Sequence, residues 1–235
     1  MATYVRHEQC GYYPYPPCYS GKAMGLERST RRHRLNHPAA LQGARVSWLM
    51  SALLFSAVPA FAGNNSIGLE IANDREADDF SESKDVKYQI DGAHTFDNGV
   101  ILGGSFQYTD PARGGKDSQN VEATIGYRLL LGQVFSVVGS SGIGARFSGS
   151  DDVFAYYVLK VGADLRMTDR VTWNAIGYRY RNAFDTDNDY DTPQLSTGLS
   201  FKVDHANSVS TKFYRSWKDG NPDETGLALG FKHEF

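Results

Sequence analysis

The chain of 235 residues is short of cysteine. It has two, Cys10 and Cys18, and none beyond position 18. No disulfide can therefore staple the remainder, and its stability must come from another kind of closure. As a C-x7-C pair without a second pair, the two cysteines also make a poor metal site. A long hydrophobic run is missing as well. The one apolar stretch, Val46 to Ala62, is interrupted by Ser47, Ser51, Ser56 and Pro59, and a spanning helix needs ~20 unbroken apolar residues. A strong charge of one sign is absent too, with a net charge of −3, so no nucleic-acid partner is expected.

Val46 to Ala62 reads instead as a secretory signal. Arg31, Arg32, Arg34 and Arg45 give its positive flank, Trp48 to Val58 its apolar core, and Pro59-Ala60-Phe61-Ala62 a small-x-small cleavage site before Gly63. This divides the chain into a disordered extension (1–44), a signal peptide (45–62) and a mature portion (63–235). The extension is rich in Tyr, Pro, Arg and His and has no hydrophobic period. It is either a long signal n-region or the product of an upstream start codon. Charge divides at the same boundary, +5 before it and −8 after it.

Turn signals cut 63–235 at regular intervals. Short breaks fall at Asp97-Asn98-Gly99, Leu131-Gly132-Gln133, Thr168-Asp169-Arg170 and Asp204 to Asn207. Longer polar breaks fall at 73–84, 110–118, 149–152, 182–193 and 218–225, alternating strictly with the short ones. Between them lie ten segments of about ten residues, the length at which a tilted strand crosses a bilayer. Most alternate. Tyr157, Leu159, Val161, Ala163, Leu165 and Met167 oppose Lys160, Gly162, Asp164 and Arg166; Leu227, Leu229, Phe231 and Phe235 oppose Lys232 and Glu234. In "VTWNAIGYRYR", Trp173 and Tyr178 fall on opposite parities, which predicts a bulge. His233 falls on the apolar parity of the last segment and fits it poorly.

Alternation suits both a soluble sandwich and a membrane barrel, with opposite senses of inside and outside. Four features favour the all-β, closed antiparallel transmembrane barrel. The polar faces carry glycines and lone charges; long and short loops alternate; the strand count is even; and aromatics gather at both strand ends. The aromatics are Phe96, Phe135, Trp173, Phe201 and Phe235 at one end, and Tyr108, Phe147, Phe154, Tyr180 and Trp217 at the other. Closure leaves no unpaired edge in lipid, and it predicts that the last segment pairs with the first around Ile67 to Ile71.

The cleaved signal, the ten-residue alternating strands and the ending "LALGFKHEF" resemble the bacterial outer-membrane β-barrel proteins. Within that class "HTFDNGVILGG" and "IGYRYRNAF" are similar to phrases in the small monomeric porins for acidic oligosaccharides, which usually have twelve strands. The resemblance implies a monomer in the cell outer membrane, in contact with lipid and lipopolysaccharide. It also implies an assembly signal at Phe231 and Phe235 read by the barrel-assembly machinery.

The polar parity predicts a lumen lined by Arg128, Arg146, Lys160, Arg166, Arg179, Arg181, Lys202 and Lys212, with Lys87 and Lys232. Asp91, Glu122 and Asp164 are expected as acidic partners, with Glu70, Asp85 and Glu234. This is an excess of positive charge, which favours anions. Ten strands lie near the closed end of the barrel series. Two functions therefore stand: a narrow porin-like channel for small, anionic solutes, or a closed barrel that interacts through acidic outer loops. Asp185, Asp187, Asp189 and Asp191 recur at every second position, as in a calcium loop. An EF-hand needs Gly at its sixth position and Glu at its twelfth, where this chain has Tyr190 and Ser196. The loop therefore reads first as a solvated acidic segment and only weakly as a metal site. No cofactor is expected, and no enzyme. "YRYRNAF" resembles the strand that carries a His and a Ser in lipid A deacylases, but Asn182 and Ala183 follow here. His94, His205 and His233 all fall towards the short-turn end, without a nucleophile to activate.

Overall fold

Alternating segments of this kind can bury their backbone polar groups only by pairing with one another, and here the pairing closes on itself. The computed structural model describes residues 63–149, 152–188 and 190–235. The extension and signal assigned to 1–62 lie outside them. Ten strands run in chain order: β1 (Gly63–Glu76), β2 (Ser83–Phe96), β3 (Val100–Pro111), β4 (Ser118–Leu131), β5 (Phe135–Ser148), β6 (Asp152–Arg166), β7 (Val171–Ala183), β8 (Gln194–Lys202), β9 (Asn207–Lys218) and β10 (Asn221–Glu234). Each pairs antiparallel with its sequence neighbours, and β10 pairs with β1 to close the barrel. The closing register sets Ile67 opposite His233 and Ile71 opposite Leu229. The Asn65 N–H donates to the Phe235 carbonyl and the Phe235 N–H to the Asn65 carbonyl, at 3.1 and 3.0 Å.

The apolar parity faces outward. Leu69, Ile71, Ile90, Leu102, Ile125, Ile143, Leu159, Val161, Leu199, Phe213, Leu227 and Leu229 are all exposed, while the buried side chains include Asp74, Asn120, Glu122 and Arg181. A soluble sandwich has the opposite distribution. An apolar exterior around a polar interior defines a transmembrane barrel.

β7 carries the expected bulge. Its register with β8 shifts between Asn174 and Gly177. The extra residue lets Trp173, Ile176 and Tyr178 all face outward, each between 42% and 50% exposed. His233 faces outward too, but at the very end of the wall, where its Nδ1 lies 2.9 Å from the Asn207 Oδ1. It is half-buried and stacks on Phe235, so a polar ring on the apolar parity finds its partner beside the short turns.

Two expectations need correction. The polar breaks are not all loops. β1 runs on to Glu76, β2 begins at Ser83, and the supposed break at 218–225 is a two-residue hairpin turn at Asp219-Gly220 with φ of 51° and 75°, the left-handed pair that such turns favour. Long and short connections therefore do not alternate strictly. A strand of 14 residues extends ~46 Å and, even tilted, outreaches an apolar band ~25 Å tall. Its upper part stands in water on both sides and reads as loop although it is wall. Phe154 is the second correction. It packs with the buried Tyr156 and Tyr190 and so belongs to the interior, not to an outer aromatic girdle.

Candidate functional site

Strand alternation aims the second parity of all ten strands into one tube, so long polar side chains meet there from walls far apart in sequence. They form two clusters. On the β4–β7 side Glu122 is the centre. The Lys160 Nζ lies 2.7 Å from its Oε2, the Arg181 Nε donates to its Oε1 at 2.6 Å, and the Tyr156 hydroxyl donates to Oε1 at 3.1 Å. The Arg181 Nη2 also reaches the Gln107 Oε1 at 3.3 Å. Glu122 and Arg181 are 3% and 4% exposed. Burying such charges is tolerable only because each is paired.

On the opposite side Asp74, Asp85 and Glu224 converge, their nearest oxygens all within 4.8 Å of one another. Lys87 sits among them. It pairs with Asp74, lies 2.5 Å from Glu224 and 3.7 Å from Asp85. The Tyr214 hydroxyl donates to Asp74. On the same strands as Asp74 and Tyr214, Lys212 of β9 pairs with Glu70 of β1 at 2.6 Å.

Both tyrosines lie over a glycine of the neighbouring strand. A Cβ at Gly144 would stand 2.4 Å from the Tyr156 ring, and one at Gly226 would stand 2.2 Å from the Tyr214 ring and from the Asp74 Oδ1. Small residues on one strand thus make the space that a ring from the next one fills.

Above the clusters, towards the longer connections, lies a vestibule of about 370 Å³. Arg146, Arg179, Arg181, Lys84, Asp85, Asp152 and Glu224 contribute to its wall, as do Phe154 and Tyr190. Tyr190 comes from the β7–β8 connection, yet it is buried. Its ring packs on Phe154 and Tyr156, its hydroxyl lies 3.3 Å from the Asn120 Oδ1, and the Arg146 guanidinium stands 5.3 Å from its ring centre. Among the described residues, neither Arg146 nor Arg179 has a carboxylate partner, and the Arg179 Nε is buried without an acceptor. Below the vestibule lies a separate small cavity of about 10 Å³, bounded by Glu70, Lys87, Gln107, Arg179, Lys212 and Tyr214. That is room for about one water.

Arg128, Arg166, Lys202 and Lys232 are exposed at the short-turn end, with Lys232 paired to Glu234 at 2.5 Å. Asp164 accepts a hydrogen bond from the Asn174 Nδ2 at 2.8 Å. Asp91 faces inward against Gly68, where a Cβ would stand 2.5 Å from its Oδ2. Phe231 and Phe235 lie outside, 43% and 65% exposed.

The basic residues on the inward parity do not form one ring. Lys160, Arg181 and Lys212 are consumed in ion pairs, Arg146 and Arg179 stand in the vestibule without a carboxylate partner among the described residues, and Arg128, Arg166 and Lys202 are exposed at the far mouth. Parity counting missed Asp74, Asp152 and Glu224, because each sat in a stretch assigned to loop. They reduce the expected positive excess. Continuing the two-residue period past the polar breaks would have found them.

The acidic loop does not gather as a cation site among the described residues. The Asp185 Oδ1 accepts the Asp187 N–H at 3.1 Å, and the Asp191 carbonyl accepts the Asp219 N–H at 3.3 Å. Asp189 lies outside the described residues. The carboxylates that do converge are those of Asp74, Asp85 and Glu224, and an ammonium holds their centre.

A closed antiparallel wall, an apolar outer belt and an ion-paired interior make this a transmembrane β-barrel. No protein-family model and no curated protein matches the chain. Among solved structures it is similar to the KdgM porin, at 15% identity and a TM-score of 0.40 over 72% of this chain and 99% of that one. It is similar to the NanC porin at 8% and 0.45, over 71% and 98%. It is also similar to Ail, the attachment invasion locus protein of Yersinia pestis, at 15% and 0.37, over 74% and 100%.

Proposed function

We propose that the barrel is a narrow porin-like channel of a bacterial outer membrane, taking small anionic solutes from the side of the longer connections. The observation that carries this is the pair of guanidiniums, Arg146 and Arg179, standing in the vestibule wall without carboxylate partners among the described residues. A cation held in a low-dielectric tube without a counter-ion lowers the energy of an anion beside it. The gap below is bounded largely by the ends of long side chains, Lys87, Lys212 and Arg179 among them. Rotamer changes there widen it without moving the wall. The exposed cations Arg128, Arg166 and Lys202 then receive the solute at the far mouth. The proposal includes a monomer that reaches the membrane through a cleaved signal, with Phe231 and Phe235 serving its assembly.

A second reading is favoured by the packing at mid-height: a closed barrel that acts through its outer connections. Purified protein in planar bilayers separates the two. The channel gives small unitary steps, and in a salt gradient its reversal potential has the sign of anion preference. Arg146→Gln with Arg179→Gln weakens that preference, and Gln107→Ala, which trims the wall of the gap, enlarges the steps. Silence from both the native protein and Gln107→Ala rejects the channel and leaves the closed barrel.

A further inference from the structure

Just above the apolar belt, the outer wall carries one row unlike the rest. In the registers of β1, β10, β9 and β8, Arg75 lies opposite Thr225, Thr225 opposite Arg215, and Arg215 opposite Leu195. Leu195 is exposed on the lipid side, and the next outward positions below, Leu227 and Phe213, are 54% and 48% exposed. Arg75 and Arg215 therefore point outward, one strand on either side of Thr225, with backbones ~10 Å apart.

Both arginines are half-buried against the wall, and Thr225 between them is only 7% exposed. The Arg75 Nη1 reaches the Ser81 carbonyl at 3.3 Å. The Arg215 Nε is buried without an acceptor. Among the described residues, neither guanidinium has a carboxylate partner. On β3 the outward position beside Val86 is instead an exposed acid, Asp110. The β3–β4 connection is mixed, with Arg113, Lys116 and Asp117 exposed, and the β1–β2 connection above Arg75 carries exposed Asp78 and Asp79.

We infer that Arg75 and Arg215, with Thr225 between them, form a clip for the phosphates of a lipopolysaccharide molecule seated against the outside of the barrel. A guanidinium offers a planar fork of donors matched to phosphate oxygens. The Thr225 hydroxyl supplies a further donor between the forks. The acyl chains of the lipid would run down over Leu227, Phe213 and Leu229, which are already exposed. The patch faces lipid and not the lumen, so it plays no part in passing solute. The inference rests on the proposed outer-membrane setting, with the longer connections outside.

The full chain is refolded into phosphatidylcholine vesicles alone, with bis-phosphorylated lipid A, or with dephosphorylated lipid A. Heat-modifiable gel mobility gives the unfolding midpoint. The native protein gains roughly 5 °C with the phosphorylated lipid and nothing with the dephosphorylated one. The gain shrinks in high salt. Arg75→Gln with Arg215→Gln abolishes the gain while matching the native midpoint in phosphatidylcholine. Arg113→Gln, which removes a loop cation paired with Glu82, keeps it. An equal gain in the double variant, an equal gain with dephosphorylated lipid, or no gain in the native protein overturns the clip. Failure to insert into any of these bilayers instead overturns the outer-membrane setting.

Discussion

The two walls of the lumen are built on one plan and end with opposite charge. On each, a tyrosine from one strand lies over a glycine of the next, donates its hydroxyl to a carboxylate, and shares that carboxylate with a lysine. Tyr156, Gly144, Glu122 and Lys160 do this on one side; Tyr214, Gly226, Asp74 and Lys87 do it on the other. The difference lies in the company each keeps. Glu122 gains a second cation, Arg181. Lys87 gains two more carboxylates, Asp85 and Glu224. The same mechanical device thus leaves one wall electropositive and the other electronegative. The device supplies packing, and the neighbours decide the field.

Removing the hub of each cluster breaks the comparison most severely. Lys87→Met leaves three buried carboxylates facing one another, and Glu122→Gln leaves Lys160 and Arg181 without their shared anion. Each costs about 3–5 kcal/mol, with Lys87→Met at the upper end, read from urea unfolding of the refolded barrel in micelles. Adding Asp74→Asn and Glu224→Gln to Lys87→Met recovers most of that loss, and the same pair added to Glu122→Gln recovers nothing.

Filling the glycines comes next. Gly226→Ala meets both the Tyr214 ring and Asp74, whereas Gly144→Ala meets the Tyr156 ring alone. Each costs about 1–3 kcal/mol by overpacking, with Gly226→Ala the larger by the same measurement. Removing the hydroxyls is milder. Tyr214→Phe costs about 1–2 kcal/mol and more than Tyr156→Phe, since Glu122 keeps two cations to itself while Asp74 shares one.

The smallest effect lies outside both walls. In the β8–β9 turn, hydrogen bonds from the Asn207 side chain, and then from the Ala206 and Asn207 amides, hold the Asp204 carboxyl below its ordinary range. Its contribution is complete above pH ~4 and fades as pH falls through the lowered folded value. Asp204→Asn removes that acid-sensitive fraction and leaves the pH dependence of the two clusters untouched, as parallel unfolding curves between pH 3 and 7 would record.

The barrel was legible because its cause is local. A two-residue period can be counted without knowing which strand meets which, and the outward Trp173 and Tyr178 even announced the β7 bulge. The clusters were not legible in the same way. Asp74 lies 140 positions from Tyr214, and only the registers of β1 with β10 and of β10 with β9 bring the two together, while Lys87 arrives across the β1–β2 hairpin. Polarity above the belt was misleading, since a strand wetted on both faces has the composition of a loop. Tyr190 was hidden for a related reason. An acidic stretch hides one aromatic that folds back into the tube, and no period marks it.

The seam between β1 and β10 ties residue 65 to residue 235. A contact at that separation forms only after a large loss of chain entropy, and it contributes nothing until every intervening strand is in register. Folding should therefore be slow and close to all-or-none. A chain missing its tenth strand would not be a slightly weaker barrel but an open sheet with two unpaired edges in lipid.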